Sequence, residues 1–263
     1  MTKWFHKCDL NWLKARQLCL TATDVKDLLP ITKTGRKRVV GDDAYLKVMA
    51  RKLVKLTDED CISVGAAARG HILEPYAINC FNENALTGTF YHWDDVVIQR
   101  ENAHPFELAF SPDAMNEIMN PEIRKSNQRL LKGSNATVIA EIKSYSAEKH
   151  MLCGYTPSDE LEERWQIATA MAVLDSIETA YLLFYNPSMK NQLYVVDYDR
   201  FDLANEITMI KEVEEKWLAW ISNLSKLDRH LMINGDDNAE HKIIDEIIKR
   251  EELNPESEKS VIR

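Results

Sequence analysis

Thr137-Val138-Ile139-Ala140-Glu141-Ile142-Lys143 is an apolar run that ends in an acid and a lysine two residues apart. It predicts a strand over 136–145. Successive side chains of a strand point to opposite faces. Glu141 and Lys143 then share a face with Ile139, while Val138, Ala140 and Ile142 point the other way. A carboxylate and an ammonium on one strand face, with a second acid (Asp113) upstream, can hold a metal and position a water. That is equipment for cutting a phosphodiester. Glu-x-Lys alone recurs by chance, and an ion pair on an edge strand is its plain alternative.

The flanking sequence supplies the rest of the fold. Upstream, 88–100 and 106–111 read as strands, the second running into Ser111-Pro112-Asp113. Downstream, Thr156-Pro157-Ser158-Asp159 has the cap, first-turn proline and acid of a helix start, and the helix runs to about 174. Its packed face is Ile167, Ala170, Met171 and Leu174, with Gln166 one residue before it. Strands at 180–185 and 192–197 are joined by the turn Asn186-Pro187-Ser188. Two short helices fill 8–29, with Thr23 capping the second. Further helices are expected over 42–55 and 62–84, the latter around Gly70, Glu74 and Pro75. Residues 205–231 make a long amphipathic helix, with Trp217 and Trp220 in the core or at a subunit interface. Helices, strands, helix, hairpin and helices in that order give an α/β (α+β) fold with a mixed central β-sheet. We expect one catalytic domain over 1–231 and an acidic helical tail over 232–263.

Composition narrows the class. The chain has 263 residues, 45% hydrophobic, and its apolar runs are too short to span a bilayer. Five scattered cysteines make no CxxC pair and no disulfide framework. No histidine pair has zinc-ligand spacing. We expect a reduced, cytoplasmic protein with no membrane partner. The net charge of −9 hides an asymmetry: residues 1–57 carry 13 Lys/Arg against 5 Asp/Glu, and residues 201–263 carry 9 against 15. A basic front and an acidic back suit one nucleic-acid face and one solvated end. Arg36, Lys37 and Arg38 lie in a basic loop and are candidate DNA contacts, with a solvated loop as the alternative. The insertion 116–135 is also basic and is too long to be an idle connection.

Phosphodiester hydrolysis needs a divalent metal, a deprotonated water, leaving-group stabilisation and a positioned strand. Hard oxygen ligands suit Mg²⁺ or Mn²⁺, one or two ions per subunit. Asp113 and Glu141 from neighbouring strands are the candidate ligands, with the backbone carbonyl of Ile142 as a third. Lys143 would hold the attacking water or the phosphate. Glu74, from the preceding helix, would bind a second ion directly or through water.

Asp-(x)n-Glu-x-Lys resembles the PD-(D/E)XK nuclease superfamily, which implies a restriction-endonuclease-like core. Arg69-Gly70-His71-Ile72-Leu73-Glu74-Pro75, then Phe110-Ser111-Pro112-Asp113, then Glu141-Ile142-Lys143, then Gln166, is similar to its lambda-exonuclease branch, the YqaJ-type viral recombinases of phages and prophages. The segment Trp12-Leu13-Lys14-Ala15-Arg16 to Thr23-Asp24-Val25 resembles that branch's opening. The resemblance implies catalytic roles for Glu74, Asp113, Glu141, Lys143 and Gln166, and contacts to a 5′ phosphate from Arg16, Thr23 and Ser111. It implies digestion of one strand of duplex DNA from its 5′ end to leave a 3′ overhang. It also implies a homo-oligomeric ring, a single-strand annealing protein as partner, and a phage- or prophage-encoded origin in a bacterial host. Ala114, where the family commonly has glycine, Thr23 in place of serine, and the long insertion depart from the pattern. An endonuclease of the same superfamily is one alternative. A DNA-end-binding recombination scaffold with little or no nuclease activity is another.

Overall fold

The computed structural model describes residues 4–32, 36–84, 88–93, 95–120 and 127–223. The expected strand is β9 (Val138–Lys143). It pairs in parallel with β10 (Thr179–Tyr185) and antiparallel with β7 (Ala114–Met115). The hairpin partner β11 (Leu193–Asp199) and the short β4 (Tyr91–His92) complete a mixed five-stranded sheet, ordered β11-β10-β9-β7-β4. Both faces of this sheet are covered, as a strand paired in parallel requires. Helix α4 (Ala66–Asn84) lays Leu73, Ala77, Ile78 and Phe81 against Ala140, Ile142 and Leu183. The other face, carrying Ile139, Leu182 and Phe184, packs in the main core with α6 (Arg164–Val173). The alternation read from the sequence holds.

A second sheet stands beside the first. It is ordered β2-β6-β5-β8, from β2 (Leu20–Thr21), β6 (Leu108–Phe110), β5 (Val97–Gln99) and β8 (Leu130–Lys132). One central sheet was expected, and two share the work. The chain leaves the four-stranded sheet at Phe110 and enters the five-stranded one at Ala114, so Ser111-Pro112-Asp113 is the seam. Pro112 suits a seam because it has no N–H to leave unpaired. Strands β2 and β6 run in parallel, Leu20 opposite Leu108 and Thr21 opposite Ala109. Their ends therefore emerge side by side, placing α2 (Ala22–Leu28) next to Ser111.

Helices α3 (Asp42–Leu53) and α7 (Ala204–Ser222) close the main core, and α1 (Leu10–Gln17) packs Ala15 and Trp12 in a smaller cluster with Val97 and Ala109. Trp217 is fully buried, donates to the Phe106 carbonyl at 3.0 Å and stacks with Tyr45 and Trp220. The short α5 (Ala147–Cys153) follows β9.

Several sequence expectations are corrected. Residues 62–64 are not helical: Ile62–Val64 forms β3, paired with β1 (Phe5–Lys7), and α4 begins only after Gly65, whose φ of +67° turns the chain. The run 88–100 is two short strands, because Asp95 takes a positive φ between them. The helix expected from Thr156 starts at Arg164. Ser158–Glu160 is one 3-10 turn, and the extended backbone at Leu161 sends that buried side chain into the core. Thr21, not Thr23, opens α2: its N–H and hydroxyl both donate to Asp24 Oδ2. The insertion 116–135 contains β8, and its described basic residues, Arg129 and Lys132, are tied inward. Arg129 pairs with Asp9 at 2.6 Å, and Lys132 donates to Gln99 and to the Ala103 carbonyl. Lys33 of the basic loop, Arg124 and Lys125 of the insertion, Leu224, the end of the 205–231 helix and the tail 232–263 lie outside the described residues.

Candidate active site

Asp113, last residue of the seam, stands across from Glu141, since Ala114 is registered on Ala140. Its Oδ2 accepts the Ile142 N–H at 2.7 Å. In a strand the N–H and C=O of one residue face the same edge, so the Ile142 carbonyl points to the Asp113 side too. Glu141 Oε1 accepts from the Lys143 ammonium and from Gln166 Nε2, the latter at 2.8 Å. Gln166 is the half-exposed member of an otherwise buried helical run. Glu74 reaches the same region from α4.

The electrostatics are unbalanced. Burial raises the Asp113 pKa well above the usual carboxylate value, and the charges of Glu141 and Glu74 raise it further. Burial works to lower the Lys143 pKa, but Glu141 and Asp113 outweigh it and hold the ammonium above the ordinary lysine range. Glu74 behaves oppositely to Asp113. Burial pushes it up, yet His71 and His92 pull it down to about 2. Three carboxylates thus face one ammonium in a desolvated place, and a further cation would relieve them. Among the described residues no three His, Cys, Asp or Glu side chains converge as they stand on one coordination point. The donor chemistry nevertheless fits a hard divalent ion: carboxylate oxygens and a backbone carbonyl, with no thiolate among them.

One cleft opens on two of these residues, Glu141 and Gln166, while Asp113, Lys143 and Glu74 lie outside its lining. Arg16, Thr21, Ala22, Thr23, Phe110, Ser111, Pro112, Glu141 and Gln166 are among its lining. The cleft therefore gathers the residues singled out for a phosphate, Arg16, Thr23 and Ser111, beside two of the catalytic candidates. The Arg16 guanidinium lies 4.8 Å over the Trp12 ring. Burial lowers its pKa, and the charge of Asp24 offsets this only in part. A desolvated guanidinium whose cleft side is free is a ready anion site. Thr23 is exposed to the cleft. Ser111 is less available, since its hydroxyl donates to the Val96 carbonyl and accepts from Trp12 Nε1.

The basic loop is only partly surface decoration. Arg38 donates to the carbonyls of Leu29, Lys26 and Asp27, which clasps the C-terminal end of α2. Lys37 bridges Ile31 in the chain path, and Arg36 is exposed.

Sequence reasoning missed several neighbours. His71 and His92 flank Glu74 at 3.3 and 3.4 Å. Their i,i+3 spacing gives away His71 but nothing in the sequence gives His92. Lys26, one turn beyond Thr23 and so on its face, feels the charges of Lys143, Glu163 and Glu141, and burial lowers its pKa. The Tyr145 hydroxyl donates to Glu163, whose carboxylate also attracts Lys149. Behind the cleft wall, Asp24 and Lys52 form a buried ion pair at 2.5 Å, and Lys52 also donates to the Arg16 carbonyl.

No family model matches the chain, and no curated protein matches it in sequence. Solved structures do match. The alkaline exonuclease LHK-Exo from Laribacter hongkongensis superposes with a TM-score of 0.54 at 18% identity, over 93% of this chain and 98% of that one. This chain has an alkaline-exonuclease fold. The LHK-Exo structure in complex with dAMP gives a TM-score of 0.53 over the same shares, also at 18% identity. No helix among the described residues is long and apolar enough to cross a membrane.

Proposed function

We propose that this protein is a divalent-metal-dependent nuclease of the lambda-exonuclease kind, degrading one strand of linear duplex DNA from its 5′ end. The observation that carries this reading is one cleft lined both by Arg16 and Thr23 and by Glu141 and Gln166. A cation for a terminal phosphate beside acids for a metal is the layout an end-directed enzyme needs. The exonuclease fold supports it.

Asp113, Glu141 and the Ile142 carbonyl would hold Mg²⁺ or Mn²⁺, with Glu74 alongside. The ion would supply charge neutralisation on the phosphate and a more acidic water. The chain's own residues do the rest. Lys143 keeps its proton because two carboxylates hold it, so it acts as a donor and electrostatic stabiliser of the phosphate, not as a base. Gln166 fixes the Glu141 carboxylate so that the second oxygen faces the site. Arg16 binds and orients the 5′ phosphate, with Thr23 beside it, and Trp12 braces the guanidinium from the far side. In this reading a ring of subunits encloses the duplex, and a single-strand annealing protein takes up the 3′ overhang.

Incubation of 5′-phosphorylated linear duplex with the protein and Mg²⁺ tests the proposal. Mononucleotides should appear, closed circular DNA should survive, and Lys143→Ala should abolish release. Cutting of the closed circle would favour a superfamily endonuclease. Metal-dependent end binding without turnover would favour the scaffold reading.

A further inference from the structure

The Glu74 carboxylate is gripped from two sides. His71 Nδ1 stands 3.3 Å from Oε1, and His92 Nε2 stands 3.4 Å from Oε2. The two imidazoles come from different elements. His71 is one helical turn before Glu74 on α4, and its ring stacks on His6 of β1 at 4.7 Å. His92 lies on β4, registered opposite Ala114. The next residue, Trp93, donates its N–H to the Asp113 carbonyl at 3.0 Å. The strand that carries His92 is thus bonded to the segment that carries Asp113. The two rings approach opposite oxygens and do not converge on one point, which is a geometry for orienting a carboxylate, not for chelating an ion.

Asp113 and Glu74 repel each other, and a glutamate has three torsions with which to swing away. Two ring N–H groups counter that repulsion and fix both oxygens. Histidines placed in this way around metal-binding carboxylates tune affinity without touching the ion.

We propose that His71 and His92 are positioning residues that hold Glu74 in the orientation the metal site requires, with His6 bracing His71 from behind. The inference rests on the reading of Glu74 as part of that site. It adds two residues, and the β1 strand behind them, to the machinery.

Calorimetric titration of Mn²⁺ into the DNA-free protein tests it, using Glu74→Gln, His71→Ala, His92→Ala and the mimics His71→Asn and His92→Gln, whose amide nitrogens can replace Nδ1 and Nε2. Each alanine variant should weaken Mn²⁺ binding about tenfold or more, at the scale of outer-sphere ligands. The matching mimic should recover most of the loss, and circular dichroism should show an intact fold. Alanine variants that bind Mn²⁺ like the parent, while Glu74→Gln does not, would overturn the positioning role. Unchanged binding by Glu74→Gln itself would instead overturn the metal reading of Glu74, and the proposal with it. If an alanine variant does not fold, its mimic decides. A folded mimic with parental affinity supports the role, and one with affinity as poor as Glu74→Gln refutes it.

Discussion

Asp113→Asn should make the metal-free protein more stable and the metal-loaded protein relatively less so. Asparagine keeps the acceptor for the Ile142 N–H and removes a charge that Glu141 and Glu74 oppose. Two unit charges about 6 Å apart repel by roughly 3 kcal/mol at an effective dielectric of about 20. The Lys143 ammonium cancels about one such interaction, leaving a net relief of roughly 2–3 kcal/mol. In a protein of this size each kcal/mol moves Tm by about 2–4 °C, so the variant should melt roughly 4–12 °C higher in EDTA. With Mg²⁺ at about 100 times its Kd, the parent should gain about 2.7 kcal/mol from binding, and the variant should lose most of that gain. Differential scanning calorimetry with and without Mg²⁺ reads both effects. The sign follows from the raised pKa. The native state holds the Asp113 proton more tightly than the unfolded chain, so this residue costs stability as pH rises from the acid range towards its native pKa. A variant less stable than the parent in EDTA, or one that keeps the full Mg²⁺ gain, would refute this account of the site.

Other outcomes follow from the same geometry. Arg16→Met should erase the advantage of 5′-phosphorylated over 5′-hydroxyl ends, at least tenfold in initial rate, while leaving the fold intact; equal preference in both proteins would contradict a terminal-phosphate role. Asp24→Asn should cost about 3–5 kcal/mol in urea denaturation, because Lys52 is left buried without its partner. The Asp24 pKa is pulled below the ordinary value by Lys52 and Thr21 despite burial. Its contribution is therefore present above about pH 4 and is lost as pH falls through the lowered native value, so the stability gap between parent and variant should close progressively on acidification. Trp217→Ala should cost about 3–5 kcal/mol from the cavity it leaves at the centre of the main core, and a loss below 1 kcal/mol would show that α7 is not a structural prop.

Strand β9 was legible because its chemistry is local. Residues 138–143 state their own alternation, and Glu141 and Lys143 fall on one face by arithmetic. The Thr23 misreading has an equally local cause. Two hydroxyl residues two positions apart compete to open α2, and Thr21 wins because Asp24 lies at the third helical position from it. The division into two sheets was not legible, since strands of two or three residues carry no periodicity. His92 was invisible for a different reason. Its contact with Glu74 is made by the pairing of β4 with β7, and no sequence interval encodes that. The inward use of Arg129 and Lys132 likewise depends on partners about 120 and 33 residues away. Charge density alone suggested DNA where the fold uses Arg129 in an ion pair and Lys132 in hydrogen bonds.

The seam at Ser111-Pro112-Asp113 ties two jobs to one short length of chain. Ser111 hangs from the sheet that shapes the wall around Arg16 and Thr23, and Asp113 leads into the sheet that carries Glu141 and Lys143. In the proposed function, the gap between the grip on a DNA end and the cut is then a covalent length, set by three residues, one of them a stiff proline. Such a link acts as a gauge. Under that proposal, inserting a single residue there should keep the strands of both sheets but shift Asp113 against Ser111, putting the grip and the blade out of step.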